Sequence, residues 1–126
     1  MRVARNGCVV ALGLVLVGCG GGLPPAGSLV GLKAMQLAET CRLDEAMAAA
    51  EAEVAAATPG TLRHAAALQE QAVLHRDRNR DDAAEALEAR IAQATNQPAE
   101  VVRGDTLRDV AALRQRRAAT YGRPGC

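Results

Sequence analysis

The side chains of this 126-residue chain that can do covalent or acid–base chemistry are four cysteines, two histidines and 14 carboxylates. His64 and His75 are eleven residues apart, which puts them on one helix face but three turns, about 16 Å, from each other. One metal ion cannot bridge that distance. The sequence contains neither His-Glu-x-x-His nor Cys-x-x-Cys, so no metal site is expected. Adjacent acids such as Asp81-Asp82 suit the positive end of a helix. There is no serine nucleophile elbow, and His75-Arg76-Asp77 stands without the Gly-rich loop, lysine and spaced asparagine of a phosphoryl-transfer site. A thiol at Cys41 acting with His64 is the remaining nucleophile–base pairing, and nothing in the spacing sets it up. The expectation is a protein without catalysis.

The cysteine with a distinctive setting is Cys19. Arg2 and Arg5 precede an unbroken apolar-or-glycine run from Cys8 to Val17. Ten residues are too few for a stable membrane span, which takes roughly 20, but they have the length of a signal-peptide core. The run closes on Leu16, Val17, Gly18 and Cys19, and this quartet resembles the lipobox of bacterial lipoprotein precursors. The resemblance implies a signal peptide over residues 1–18. It implies a diacylglycerol thioether on the Cys19 sulfur, cleavage before Cys19, and a further acyl chain such as palmitate on the new amino terminus. A thiolate suits that transfer because it is a far better nucleophile than a hydroxyl. Two or three acyl chains, each CH₂ contributing about 0.8 kcal/mol, hold a protein on a membrane stably. The covalent lipid is the only cofactor expected. Gly20 stands where an aspartate would favour retention at the inner membrane, so the resemblance implies the periplasmic side of an outer membrane, or the cell membrane of an organism that lacks one.

Residues 19–27 then form the lipidated cysteine and a Gly/Pro tether, 28–120 a helical domain and 121–126 a tail. Apolar residues make up 49% of the chain, 28 residues are Ala, and the one aromatic is Tyr121. An all-β domain would want aromatic and β-branched residues; intrinsic disorder is disfavoured by the apolar share and a net charge of only +1. Punctuation divides the domain into about five short helices. Ser28 is expected to cap a first helix ending near Cys41. Asp44 caps a second to about Thr58 and Thr61 a third to about Arg78, with Asn79 as the turn. Asp81 caps a fourth ending before Asn96-Gln97-Pro98, and Asp105, after Gly104, caps a fifth to about Thr120. The second and fourth helices repeat each other at an offset of 37, with Met47, Ala50, Val54 and Ala57 matching Ala84, Leu87, Ile91 and Ala94 on one apolar stripe. A repeated helix pair with an Asp-acid-Ala opening to its second helix resembles the tetratricopeptide repeat. The resemblance implies an all-α fold of two stacked antiparallel helical hairpins, 29–58 and 61–95, and a C-terminal capping helix. A compact five-helix bundle of similar topology is the alternative.

An oxidising compartment leaves Cys41 and Cys126 to pair. Such a bridge closes most of the mature chain, for which loop entropy gives about 4–5 kcal/mol; an intermolecular disulfide or a free Cys126 would also satisfy the sequence. Residues 37–100 carry a formal −6 and residues 101–126 a formal +4. This suggests self-complementarity, or an anionic partner such as lipid phosphate at Arg114, Arg116 and Arg117, and solvated helix faces would account for the charges as well. No aromatic platform or net basic charge supports nucleic-acid binding. Glu70, Asp82, Glu85 and Glu88 are candidates for an acidic partner-binding face that a basic peptide would complement. The function expected is a lipid-anchored, protein-binding adaptor of the envelope. The alternatives are an immunity- or exclusion-type lipoprotein that neutralises a toxin or an incoming apparatus, and a passive structural lipoprotein. The sequence does not indicate the oligomeric state.

Overall fold

The computed structural model describes residues 33–126. Five helices follow one another: α1 (Lys33–Glu39), α2 (Leu43–Ala56), α3 (Leu62–Asp77), α4 (Asp81–Thr95) and α5 (Ala99–Tyr121). No strand occurs among the described residues. The first and second helices form one hairpin and the third and fourth another; α2 packs on α3, and α5 lies against α3, α4 and α1. This is the all-α arrangement of two stacked hairpins closed by a C-terminal helix. The expected signal peptide and tether, with Leu16, Val17, Gly18, Cys19 and Ser28, lie outside the described residues.

Each connection has a local cause. Thr61 caps α3, its hydroxyl accepting the His64 N–H at 3.2 Å. Cys41, Asn79 and Asn96 adopt left-handed φ angles of 60°, 57° and 53°, a conformation that asparagine tolerates better than most residues and that stops a helix. Asp44 and Asp81, expected as caps, sit inside the first turns instead; the capping positions belong to Arg42 and Arg80, neither with a side-chain cap bond. Four acids, Asp44-Glu45 and Asp81-Asp82, therefore act on the helix dipoles and not as caps.

The fifth helix departs most from expectation. It begins at Ala99 behind Pro98 and runs 23 residues through Gly104 and Asp105. Pro98, with extended backbone (φ −60°, ψ 141°), is a good entry because its ring presets the chain and it lacks an N–H to satisfy. Helix continues through Gly104 because Val102 is fully buried against Leu68 and Ala72, and burying a valine gains more than the roughly 1 kcal/mol that glycine costs in a helix.

Two adjoining apolar clusters form the core. Ala34, Met35 and Ala38 of α1 meet Ala46 and Ala50 of α2, Val73 and Leu74 of α3, and Val110 and Leu113 of α5. The other cluster joins Leu68 and Ala72 to Leu87, Ile91 and Val102. The alanines let helix axes approach closely, which substitutes for the missing large aromatics. Of the repeated stripe, Ala50, Ala57, Ala84, Leu87 and Ile91 are buried and Met47 and Val54 half-buried, whereas Ala94 is exposed.

Candidate functional site

The ends of α1, α3 and α5 converge on Arg117, a fully buried guanidinium. It donates to the Asp77 carboxylate through two nitrogens (3.1 and 2.9 Å) and to the Ala38 carbonyl at the end of α1 (2.8 and 3.2 Å). It also donates to the Pro124 carbonyl in the tail (2.8 Å). Arg114 reaches the same Asp77 carboxylate at 3.1 Å, and Arg116 pairs with Glu39. All three arginines of the basic end make ion pairs within the chain, Arg117 fully buried and Arg114 and Arg116 partly exposed. A buried carboxylate answered by a planar fork needs such a set of bonds, because an unpaired ion in the interior costs several kcal/mol.

The tail is held a second time. Cys41, in the α1–α2 connection, is joined to Cys126 by a disulfide with a Cα–Cα distance of 5.6 Å. The Cys41 sulfur is therefore not free to act with His64, which lies at the opposite end of α3, thirteen residues and about 20 Å along the helix from Asp77. Beside the bridge a cleft of about 440 Å³ is lined by Leu43, Asp77, Arg78, Asn79, Arg114 and the tail. Arg78 makes an ion pair with Asp44 at 3.2 Å and keeps about a quarter of its side chain exposed.

The four acidic candidates do not form one face. Glu88 is buried and takes a bidentate hydrogen bond from buried Arg76 (3.1 and 2.8 Å). Arg76 also reaches Asp81 at 3.1 Å and Glu85 at 3.8 Å, and Glu85 meets Arg103 at 3.6 Å. Asp82 is exposed at the start of α4. Glu70 is only 1% exposed, and its Oε2 has no hydrogen-bond partner. Burial, aided by the Glu53 charge, pushes its carboxyl up to about 7. Glu70 and Glu88 therefore cannot greet a basic peptide. They are buried because α3 is the central helix, packed by α2, α4 and α5, and the inner side of α4 faces it.

The histidines lie on α3 with their Nδ1 atoms buried and unpartnered. Burial, then the charges of Arg80 and Arg78, lower the His75 pKa, against a smaller opposing pull from Glu51. No group of three or more metal-ligating side chains gathers among the described residues. The residues not singled out from sequence are Arg76 and Asp77, although a signal was present. Val73 and Leu74 are core residues, and positions three further along a helix continue the same faces, so a charge at 76 or 77 should lie inside and need a partner. No family model, curated protein or solved structure matches the chain.

Proposed function

We propose that this chain is a lipoprotein acylated on Cys19, and that its helical body works as a tethered protein-binding adaptor in the bacterial envelope without performing a reaction. The observation that carries the proposal is the run Leu16-Val17-Gly18-Cys19 behind two arginines and a ten-residue apolar segment. The Cys41–Cys126 bridge supports it, since such bonds persist in oxidising compartments and are rare elsewhere. No helix among the described residues is long and apolar enough to cross a membrane, so membrane attachment of the body calls on the lipid.

Binding is the reading that the arrangement of the body favours. The buried arginines and acids tie helix ends together. The cleft beside the disulfide, walled by Arg78 and Arg114, offers cationic edges to an acidic stretch of a partner protein; the basic peptide expected from sequence loses its complement with Glu70 and Glu88 buried. Lipidation adds to a weak contact of this kind by confining the body and its partner to one surface.

The decisive test is Cys19→Ala. Metabolic labelling with a radioactive fatty acid should mark the wild-type chain and not the variant, and the variant should leave the membrane fraction. Persistent labelling, or membrane retention unchanged by the substitution, would overturn the proposal. A partner recovered from detergent-solubilised envelope should be lost with Arg78→Glu; one retained by that variant does not use the cleft.

A further inference from the structure

We infer that the end of the bundle formed by the α2–α3 and α4–α5 connections rests on the phospholipid surface to which the chain is anchored, with the disulfide end turned away. This rests on the reading of Cys19 as the acylated residue. The two ends of the body differ in their density of charge. Residues 37–48, 74–85 and 114–126 gather around the disulfide end and include 15 Asp, Glu, Lys or Arg side chains in 37 positions. Residues 53–70 and 90–103 make the other end and include six, Glu53, Arg63, Glu70, Arg90, Glu100 and Arg103, in 32 positions.

The less charged end is also uncovered. Leu62 is 56% exposed and Val101 43%, and Pro59, Pro98 and Ala99 beside them are exposed. Leu62 shares a cleft of about 240 Å³ with Gly60, Thr95 and Gln97, so the two connections lie side by side and present one surface. Of the four large apolar side chains exposed among the described residues, only Tyr121 belongs to the disulfide end. Placing a charged end at the headgroup–acyl boundary requires desolvating its ions, whereas apolar side chains gain by entering it.

The path of the chain selects the membrane as the occupant. Helix α1 runs in the same direction as α5, because Ala34 and Met35 share a cluster with Val110 and Leu113 while Ala38 receives Arg117. The N-terminus of α1 therefore points toward the less charged end. Seven residues of α1 rise about 10 Å, against about 34 Å for the 23 residues of α5. Thirteen residues separate Cys19 from Lys33, and that many residues span at most about 45 Å. That exceeds the roughly 24 Å by which α5 outruns α1, so an anchor at Cys19 is long enough to bring Leu62 and Val101 to the lipid. Two exposed apolar side chains are too little for a stable protein interface, which buries at least about 1,000 Å². Tethering makes a small surface contact effective, because it holds the end at high local concentration beside the bilayer.

The chain has no tryptophan, which makes introduced indole a clean depth probe. Full-length Leu62→Trp, Val101→Trp and Tyr121→Trp chains, expressed in a lipoprotein-processing bacterium, are reconstituted into phosphatidylethanolamine–phosphatidylglycerol vesicles with and without brominated acyl chains, and flotation is recorded on the same samples. The inference expects Leu62→Trp and Val101→Trp to shift to shorter wavelength and lose most of their emission to bromine, while Tyr121→Trp does neither. Quenching of Tyr121→Trp alone would overturn the orientation. Flotation with all three probes unquenched would overturn the docking while leaving acylation intact, and a failure to float would remove the acylation reading and the docking with it. A shift to shorter wavelength that needs no bromine effect and grows with protein density would assign the surface to a second copy of the chain and overturn the membrane contact.

Discussion

Glu70 is a buried acid with one oxygen unpartnered, and replacing it by its neutral isostere, Glu70→Gln, should change how stability depends on pH. Its carboxyl has its ordinary value of 4.5 in the unfolded chain and is pushed up to about 7 in the folded one, first by burial and then by the Glu53 charge. Between those values the folded state holds the proton more tightly than the unfolded state. The contribution to stability is therefore fully present below pH 4.5 and is lost as pH rises toward 7. By linkage the loss is about 3 kcal/mol at pH 8, a large part of what a small domain has. Glutamine has nothing to ionise. Urea denaturation of the disulfide-intact proteins at pH 4 and pH 8 should show Glu70→Gln gaining about 3 kcal/mol on the wild type between the two conditions. His75 acts in the opposite sense: its lowered pKa means that stability falls as pH drops below its ordinary 6.5. Both proteins carry that histidine, so it cancels from the comparison. A difference between the two proteins that stays the same at both pH values, within about 1 kcal/mol, would refute the account of Glu70 as a destabilising buried ion.

Arg117→Met should cost about 3–5 kcal/mol in chemical denaturation, because Asp77 keeps its charge inside with only Arg114 to answer it; the double variant Arg117→Met/Asp77→Leu should recover a good part of that loss. Gly104→Ala should stabilise by about 0.5–1 kcal/mol in the same assay, since a Cβ there meets nothing within 4 Å and the position is helical. Cys126→Ser should lose about 4–5 kcal/mol, the loop entropy of an 85-residue separation. It should also abolish the change in gel mobility that reduction produces in the wild-type chain.

How much was legible in the sequence differs by scale. The ends of α3 and α4 follow from Thr61, Asn79 and Asn96, whose side chains and tolerated φ angles act over three or four residues. The start of α5 did not follow, because Gly104-Asp105 reads locally as a stop and a start. That local preference is worth about 1 kcal/mol, and Val102, which outweighs it, finds its partners Leu68 and Ala72 more than 25 residues away. The acidic candidates failed for a related reason. A carboxylate on a helix looks the same in sequence whether it faces water or a neighbouring guanidinium, and only the position of α3 between α2, α4 and α5 puts Glu70 and Glu88 inside.

The sequence by itself determined that the body is helical and rich in close-packing alanine, and it determined where most helices end, since capping and turn chemistry act through adjacent residues. It also contained the opposite charges of the body and the C-terminal segment. Which arginine meets which acid was decided only by the tertiary structure: Arg117 finds Asp77 forty residues away and Arg116 finds Glu39 across 77. The same packing sets Cys126 against Cys41 and gathers 15 of the 27 charged side chains of the described residues at one end of the bundle, leaving Leu62 and Val101 exposed at the other. The physical reason is range. Backbone preferences act between neighbours in sequence, whereas burial and pairing act between neighbours in space, and those exist only once the helices have packed.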